Sequence, residues 1–564
     1  MISISGKKWI EERVNKNSIE KIKQDFNFSE LLSRLIVLRN FNLTEIHNID
    51  NILEVKNVFL NNSDFNKGAK ILIKSIENKE NICILGDYDV DGSAATSLLI
   101  RFFNFIKQRF FFHIPDREKD GYGATKKLFE KLILKKPKLV IMVDCGSTSN
   151  EAINFLNKNN IKSIIIDHHE IHKPYPASDI IINPKKNNGY QKYNYLCATS
   201  LTYFFIDLIN KKQKINFNLS DFLIYVLLAT VCDVMPIRKL NRLIALKVIK
   251  DFNINKNIAI KYLYQLTNKQ NKLTIDDLGY FIGPIINSGG RLGKSLFATE
   301  LLSSNDQKQI KTKSIDLIKL NEKRKEIEKK ILDQIDFKDI FNKNKNVIIY
   351  YNANINEGLI GIIASRLKDY FDKPSIVITN SKNLLKGSAR SNSVYNIGNI
   401  IKNLHDNKII INGGGHNMAA GFTMKKENFE IFEDFIQKDF DKKNFNIIKY
   451  DNYDLEISTT ALNNNFIDEI NKLAPFGNEN KIPTFLLKNL KIIKTKILNN
   501  THISAILKSK NGLSIKSISF NVMNTKLSEY LLSYKKDINV IAQIHQNIWN
   551  NKKTIQLNIK DIFI

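Results

Sequence analysis

Residues 82–97 read ICILGDYDVDGSAATS: an apolar run, a glycine, three aspartates spaced two apart, and a series of small and apolar residues. The run 82–85, bounded by Gly86, has the length and composition of a buried strand in a parallel sheet, and the run from Ser93 onward suits a helix. Asp87, Asp89 and Asp91 then stand at a strand's carboxyl end, the edge at which open α/β sheets bind ligands. Carboxylates this close repel one another and need cations or protons at neutral pH. An EF-hand calcium loop is excluded, because the twelfth position is Leu98 rather than a bidentate Glu and the preceding segment has strand character. On this stretch alone, a metal site and a solvated acidic turn both stay open.

Two further runs repeat the design. Leu139-Val-Ile-Met-Val ends at Asp144-Cys-Gly-Ser, and Ser163-Ile-Ile-Ile ends at Asp167-His168-His169-Glu170. Parallel strands point the same way, so their carboxyl ends meet on one edge and assemble a common site. Asp233 follows a long apolar segment, 222–232, and must be exposed or paired there; pairing with a metal is the economical reading. Arg117, in the polar loop after the strand-like run that starts at Phe110, is the basic group nearest the acidic cluster, with an ordinary surface ion pair as its alternative role.

At 564 residues the chain is too long for one core and should hold three or four domains. Its 43% hydrophobic and 25% charged residues are globular values. A formal charge of +28 points to a polyanionic partner, nucleic acid first. The four cysteines lack the CxxC spacing of a zinc site and read as reduced core residues. With no apolar run near the ~20 residues of a membrane span, and no h-region behind the basic start, a soluble, cytoplasmic protein without membrane association is expected.

The series DYDVDG, VDCGST, DHHE and CDVMP resembles the four motifs of the DHH phosphoesterase superfamily, and their order and spacing look like the RecJ-type single-strand-specific exonucleases. The similarity continues through Pro284-Ile-Ile-Asn-Ser-Gly-Gly-Arg291, Glu357-Gly-Leu-Ile-Gly-Ile-Ile-Ala-Ser-Arg366, Lys386-Gly-Ser-Ala-Arg390, Gly413-Gly-Gly-His416 and Pro475-Phe-Gly-Asn-Glu-Asn480. Two departures are visible: Ser288 replaces the usual alanine, and Ile355-Asn356 stand where the family has Trp-His. The resemblance implies an α/β protein: N-terminal extension (1–55), parallel-sheet DHH catalytic domain (56–300), long connecting helix (301–340), α/β DHH-associated domain (341–445) and C-terminal OB-fold β-barrel (446–564). It also implies a metal-dependent exonuclease of DNA repair and recombination that degrades single-stranded DNA from the 5′ end to mononucleotides.

Two divalent ions, Mn²⁺ or Mg²⁺, suit a donor set of carboxylates and imidazole better than Ca²⁺ does. The expected ligands are Asp89, Asp91, Asp144, His168 and Asp233, with Asp87 in or beside the set. By resemblance, His169 faces the substrate or the leaving oxygen and Asp167 orients an imidazole. Arg291, Ser388 and Arg390 would hold a terminal 5′-phosphate, beside the open backbone of Gly414 and Gly415 and the side chain of His416. Partners implied are single-stranded DNA with a 5′ end and a single-strand-binding protein or a helicase, with the enzyme itself a monomer. A stripe of Leu317, Leu320, Ile327, Ile331 and Ile335 predicts a helix of roughly 40 Å over 305–335, whose Lys323, Arg324 and Lys325 read as a solvated face.

Overall fold

The computed structural model describes the whole chain except residues 1, 117–119, 121–122, 187–189, 270–271, 344, 393, 443–448, 524, 535 and 550–551. It divides into two compact units, Asn57–Asp233 with Phe252–Asn446, and Met1–Lys56 with Val234–Asp251 and Ile447–Ile564.

The first of these carries a five-stranded, wholly parallel sheet. Its strands are β1 (Ile82–Leu85), β2 (Phe110–His113), β3 (Leu139–Val143), β4 (Lys162–Ile166) and β5 (Ile180–Ile182), in the spatial order β2-β1-β3-β4-β5. Every residue of β1 and β3 is buried, which is why these strands read as continuous apolar runs rather than as alternations. Strand order reverses between β1 and β3, so a crevice opens beyond their carboxyl ends, where a doubly wound sheet binds its ligand. The helix Val90–Phe105 is buried on nearly all sides and packs against helices Ala198–Gln213 and Leu223–Cys232. It begins three residues earlier than the small-residue run suggested, because Asp89 is its N-cap, accepting from Gly92 N–H at 3.0 Å. The apolar segment before Asp233 is likewise a helix, so that aspartate arrives from a helix end and not from a strand.

The same unit holds a second, mixed sheet of β6 (Ile348–Tyr351), β7 (Ser375–Ser381), β8 (Leu384–Arg390), β9 (Asn412–His416) and β10 (Ala419–Lys425), in the order β9-β10-β8-β7-β6. Helix Gln307–Gln334 precedes it. Its buried stripe is Ile310, Ser314, Leu317, Asn321, Arg324, Glu328 and Ile331, and this corrects one expectation. Lys323 and Lys325 are exposed, whereas Arg324 is buried, donating to Glu328 at 2.7 Å and to Asn321 at 3.1 Å. Glu328 also accepts from Arg366 at 2.7 Å, so a buried charge is matched on the stripe rather than solvated.

In the other unit, β11 (Leu455–Glu456) pairs with β12 (Thr484–Leu498), which enters a barrel with β13 (His502–Ser509), β14 (Ser514–Ser519), β15 (Ile538–Trp549) and β16 (Lys552–Phe563). The ladder runs β12-β13-β14-β16-β15 and closes by pairing β15 with β12, which leaves no free edge among these five strands. The hairpin foreseen around Asn550 to Lys553 is the β15–β16 pair; Asn550 and Asn551 lie outside the described residues. Leu32, Leu35 and Ile36 of an N-terminal helix share one core with Ile503, Leu507, Val540 and Leu557 of the barrel. Residues Lys7–Glu11 also pair in parallel with Lys449–Tyr453, and Asp561 accepts from Ser3 Oγ, Ser5 Oγ and Trp9 Nε1. Among the described residues no helix is long and apolar enough to cross a membrane.

Candidate metal centre

The carboxyl ends of β1, β3 and β4, with the end of helix Leu223–Cys232, bring Asp87, Asp89, Asp91, Asp144, His168, His169 and Asp233 together. Ligand atoms fall into three groups, each within 4.8 Å: Asp87, Asp89 and Asp144; Asp91, His168 and Asp233; Asp144, His168 and His169. His168 Nε2 lies 3.3 Å from Asp144, 3.4 Å from Asp233 and 3.6 Å from Asp91, so one imidazole is ringed by three carboxylates. Neither ring nitrogen of this buried histidine has a hydrogen-bond partner, nor does Asp144 Oδ1. Orphaned buried polar atoms cost free energy. A cation between them resolves that cost, so the donor set fits divalent metal ions that take oxygen and imidazole ligands.

Electrostatics point the same way. Burial, and then Asp91, Asp89, Asp87 and Asp233, push the Asp144 carboxyl well above its usual range; burial, Asp91 and Asp89 raise Asp233 to about 8. Burial lowers His168. The carboxylates thus disfavour each other's ionisation until positive charge is supplied. Asp144 itself adopts a left-handed backbone with φ 60°, a conformation rare outside glycine and characteristic of over-determined sites.

Second contacts hold these donors in place. Asp91 accepts from the backbone N–H groups of Ala198 at 2.8 Å and Thr199 at 2.7 Å, and so caps the helix Ala198–Gln213, whose own N-cap residue Cys197 makes no side-chain cap bond. Asp167 is buried; although burial raises it, hydrogen bonds from His169 and Ser147 hold its carboxyl well below the usual range. It accepts from His169 Nδ1 at 2.8 Å and Ser147 N at 3.0 Å, and burial notwithstanding, this pairing raises His169 to about 9. Glycines allow the close approaches: a Cβ on Gly92 would stand 2.5 Å from Asp87 N, and one on Gly290 would stand 2.7 Å from Tyr88 O.

A second polar group lies on the mixed sheet. Ser388 and Arg390 share a face of β8, with Arg390 Nη1 donating to Ser388 Oγ at 3.2 Å and to Ala389 O at 2.9 Å. Gly361, at the start of helix Ile360–Phe371, sits close to both, its Cβ position 3.0 Å from Arg390 Nη2 and 3.1 Å from Ser388 Oγ. Arg291 donates to Gly358 O at 3.1 Å. Gly414 and Gly415 lie on the exposed strand β9, which ends at His416; burial pushes His416 down, as do Lys185 and His169, against Glu170. Arg117 lies outside the described residues.

Sequence reasoning did not foresee β5. It is followed by Asn183, fully buried, which donates to His169 O and Ser147 Oγ, each at 2.9 Å. A three-isoleucine run followed by Asn-Pro was the available signal.

Residues 81–230 match the DHH family, N-terminal domain, residues 344–442 the DHHA1 domain, and residues 453–561 the RecJ OB domain. The chain thus carries DHH, DHHA1 and RecJ OB domains, in that order. The single-stranded-DNA-specific exonuclease RecJ of Bacillus subtilis is 26% identical over 99% of this chain and 71% of its own length. The protein of the same description from Haemophilus influenzae is 27% identical over 84% of this chain and 87% of its own. The crystal structure of RecJ in complex with Mn²⁺ from Thermus thermophilus superposes with a TM-score of 0.82 at 19% identity, covering 99% of this chain and 79% of that one. A structure of exonuclease RecJ bound to manganese gives 0.57 at 22% identity, over 69% of this chain and 95% of that chain. At these identities the structural likeness speaks to the fold: a RecJ-type assembly of DHH, DHHA1 and OB modules.

Proposed function

We propose that the protein is a metal-dependent exonuclease that hydrolyses single-stranded DNA from the 5′ end to mononucleotides, acting in DNA repair and recombination. The observation that carries this reading is the buried His168, unpartnered and ringed by Asp91, Asp144 and Asp233, in a chain whose full-length relatives are named single-stranded-DNA-specific exonucleases. Two divalent ions, Mn²⁺ or Mg²⁺, held by Asp87, Asp89, Asp91, Asp144, His168 and Asp233, would neutralise the phosphate oxygens in the transition state and lower the pKa of water at the site.

The chain's own groups do the rest. Asp167 holds His169 by Nδ1, so the other ring nitrogen is the one that meets substrate and passes a proton to the leaving 3′ oxygen. Arg291, Ser388 and Arg390, with the open backbone of Gly414 and Gly415 and the His416 ring, hold the 5′-phosphate and so count the strand from its end. Arg117 adds a phosphate contact. The five-part division at residues 55, 300, 340 and 445 assigns chemistry to the DHH domain, end recognition to the DHH-associated domain and strand capture to the barrel. The working form is a cytoplasmic monomer that meets its strand together with a single-strand-binding protein or a helicase.

The test is release of mononucleotides from 5′-labelled single strands of several lengths, with Mn²⁺, Mg²⁺ or chelator. The wild-type chain should release them only with metal, and Asp89→Ala should abolish release while keeping strand binding. Retained turnover in that variant, or metal-independent turnover in the wild type, defeats the proposal.

A further inference from the structure

Lys185 is a cation that the motifs leave without a role. It follows β5, and its position is set by the buried Asn183. Asn183 Oδ1 accepts from Lys185 N at 2.9 Å, while its Nδ2 donates to His169 O and Ser147 Oγ. Asn183 N in turn donates to Tyr190 OH at 3.0 Å. One fully buried amide thus ties the backbone of Lys185 to the backbone of the DHH histidine and to the loop that follows Asp144. The Lys185 ammonium lies 2.9 Å from Glu170, the residue next to His169.

The geometry is that of a cation tethered beside the DHH segment, its backbone tied through Asn183 to His169 O and its ammonium resting on Glu170. Glu170 is half-exposed, so its ion pair with Lys185 is partly screened and readily exchanged. An ammonium on a flexible stem is a point charge that can follow a phosphate oxygen through small displacements, as a guanidinium fork does less well.

We propose that Lys185 is a phosphate-positioning residue. When a strand binds, its ammonium leaves Glu170 for a non-bridging oxygen of the phosphodiester lying against the cluster, which it holds together with His169. The inference rests on the nuclease reading, since a phosphodiester strand must lie there.

The experiment measures binding of a 5′-phosphorylated oligothymidylate to the full chain in chelator, between 50 and 200 mM salt, for wild type, Lys185→Gln, Lys185→Arg and Glu170→Gln. Loss of one phosphate contact to a single strand lowers the salt slope by about 0.7, so over that range Lys185→Gln should lose about 2.6-fold less affinity than wild type. Lys185→Arg and Glu170→Gln should keep the wild-type slope. With Mn²⁺, Lys185→Gln should raise KM several-fold and leave kcat within about twofold. An unchanged slope in Lys185→Gln, or an equal loss in Glu170→Gln, overturns the assignment, the latter because it would place the effect in the loop's packing. Failure of the wild type to cleave with any metal would sink the nuclease reading instead, and the slope comparison keeps the two failures apart.

Discussion

Asp91 is placed both to bind a cation and to cap a helix, and the second role can be measured by itself. Its two oxygens accept from Ala198 N and Thr199 N. Bonds to a charged partner contribute about 1.5 to 3 kcal/mol each, so Asp91→Ala removes roughly 3 to 6 kcal/mol from the start of that helix. Asp89→Ala removes one N-cap bond to Gly92, roughly 1 kcal/mol. Asp91 weighs more than Asp89 on both Asp144 and Asp233, so Asp91→Ala also relieves more repulsion, and the difference of about 2 to 5 kcal/mol is a ceiling for the cap. In chelator, which removes metal linkage, amide exchange near residues 197–202 should rise about a hundredfold more in Asp91→Ala than in Asp89→Ala, at about 1.4 kcal/mol per decade. Asp91→Asn, which keeps one acceptor, should fall between. Equal exchange in the two alanine variants would refute the capping argument whatever happens to activity.

Three further outcomes are expected. Gly290→Ala should lower turnover at least tenfold while strand binding changes little, because its Cβ would press on Tyr88 O inside the DYDVDG loop; unchanged kcat would show that the loop yields. Arg390→Ala should reduce the preference for 5′-phosphorylated over unphosphorylated ends, read as the ratio of cleavage rates, and an unchanged ratio removes Arg390 from end recognition. Glu45 is buried, which alone would raise it, but hydrogen bonds from Arg238, Lys239 N and Asn42 N hold it below its ordinary 4.5. Its contribution is therefore complete above about pH 4.5 and lost as pH falls through the lower folded value. Glu45→Gln should cost about 2 to 3 kcal/mol at pH 7 and progressively less in acid, measured by urea unfolding.

The strand ends that build the centre were legible because buried parallel strands announce themselves as apolar runs, and an acidic or histidine residue at the end of each is a local signal. Asp87, Asp89, Asp144 and His168 are all of this kind. What closes around them was not legible. Asp91 is held by backbone groups at 198 and 199, and amides have no sequence signature. Asn183 acts through a strand of only three residues. Arg324 was misread from its charge and its lysine neighbours, yet its register was informative: it stands seven residues from both Leu317 and Ile331, on the buried stripe itself. Period outranked polarity there, because Glu328 and Asn321 lie on the same stripe to receive it.

The barrel unit is discontinuous: its N-terminal 56 residues share a core with strands that begin near residue 455, with the other unit encoded between them. During synthesis at roughly 5 to 20 residues per second, that leading segment waits about 20 to 80 s for its partner strands. Trp9, Ser3 and Ser5 acquire their common acceptor only when Asp561 has left the ribosome. The catalytic sheet, complete by residue 182, can form well before then. A ribosome stalled between residues 464 and 564 would therefore present a formed DHH sheet and an apolar helix still without its barrel strands, which makes the leading segment the part of the nascent chain most in need of a chaperone.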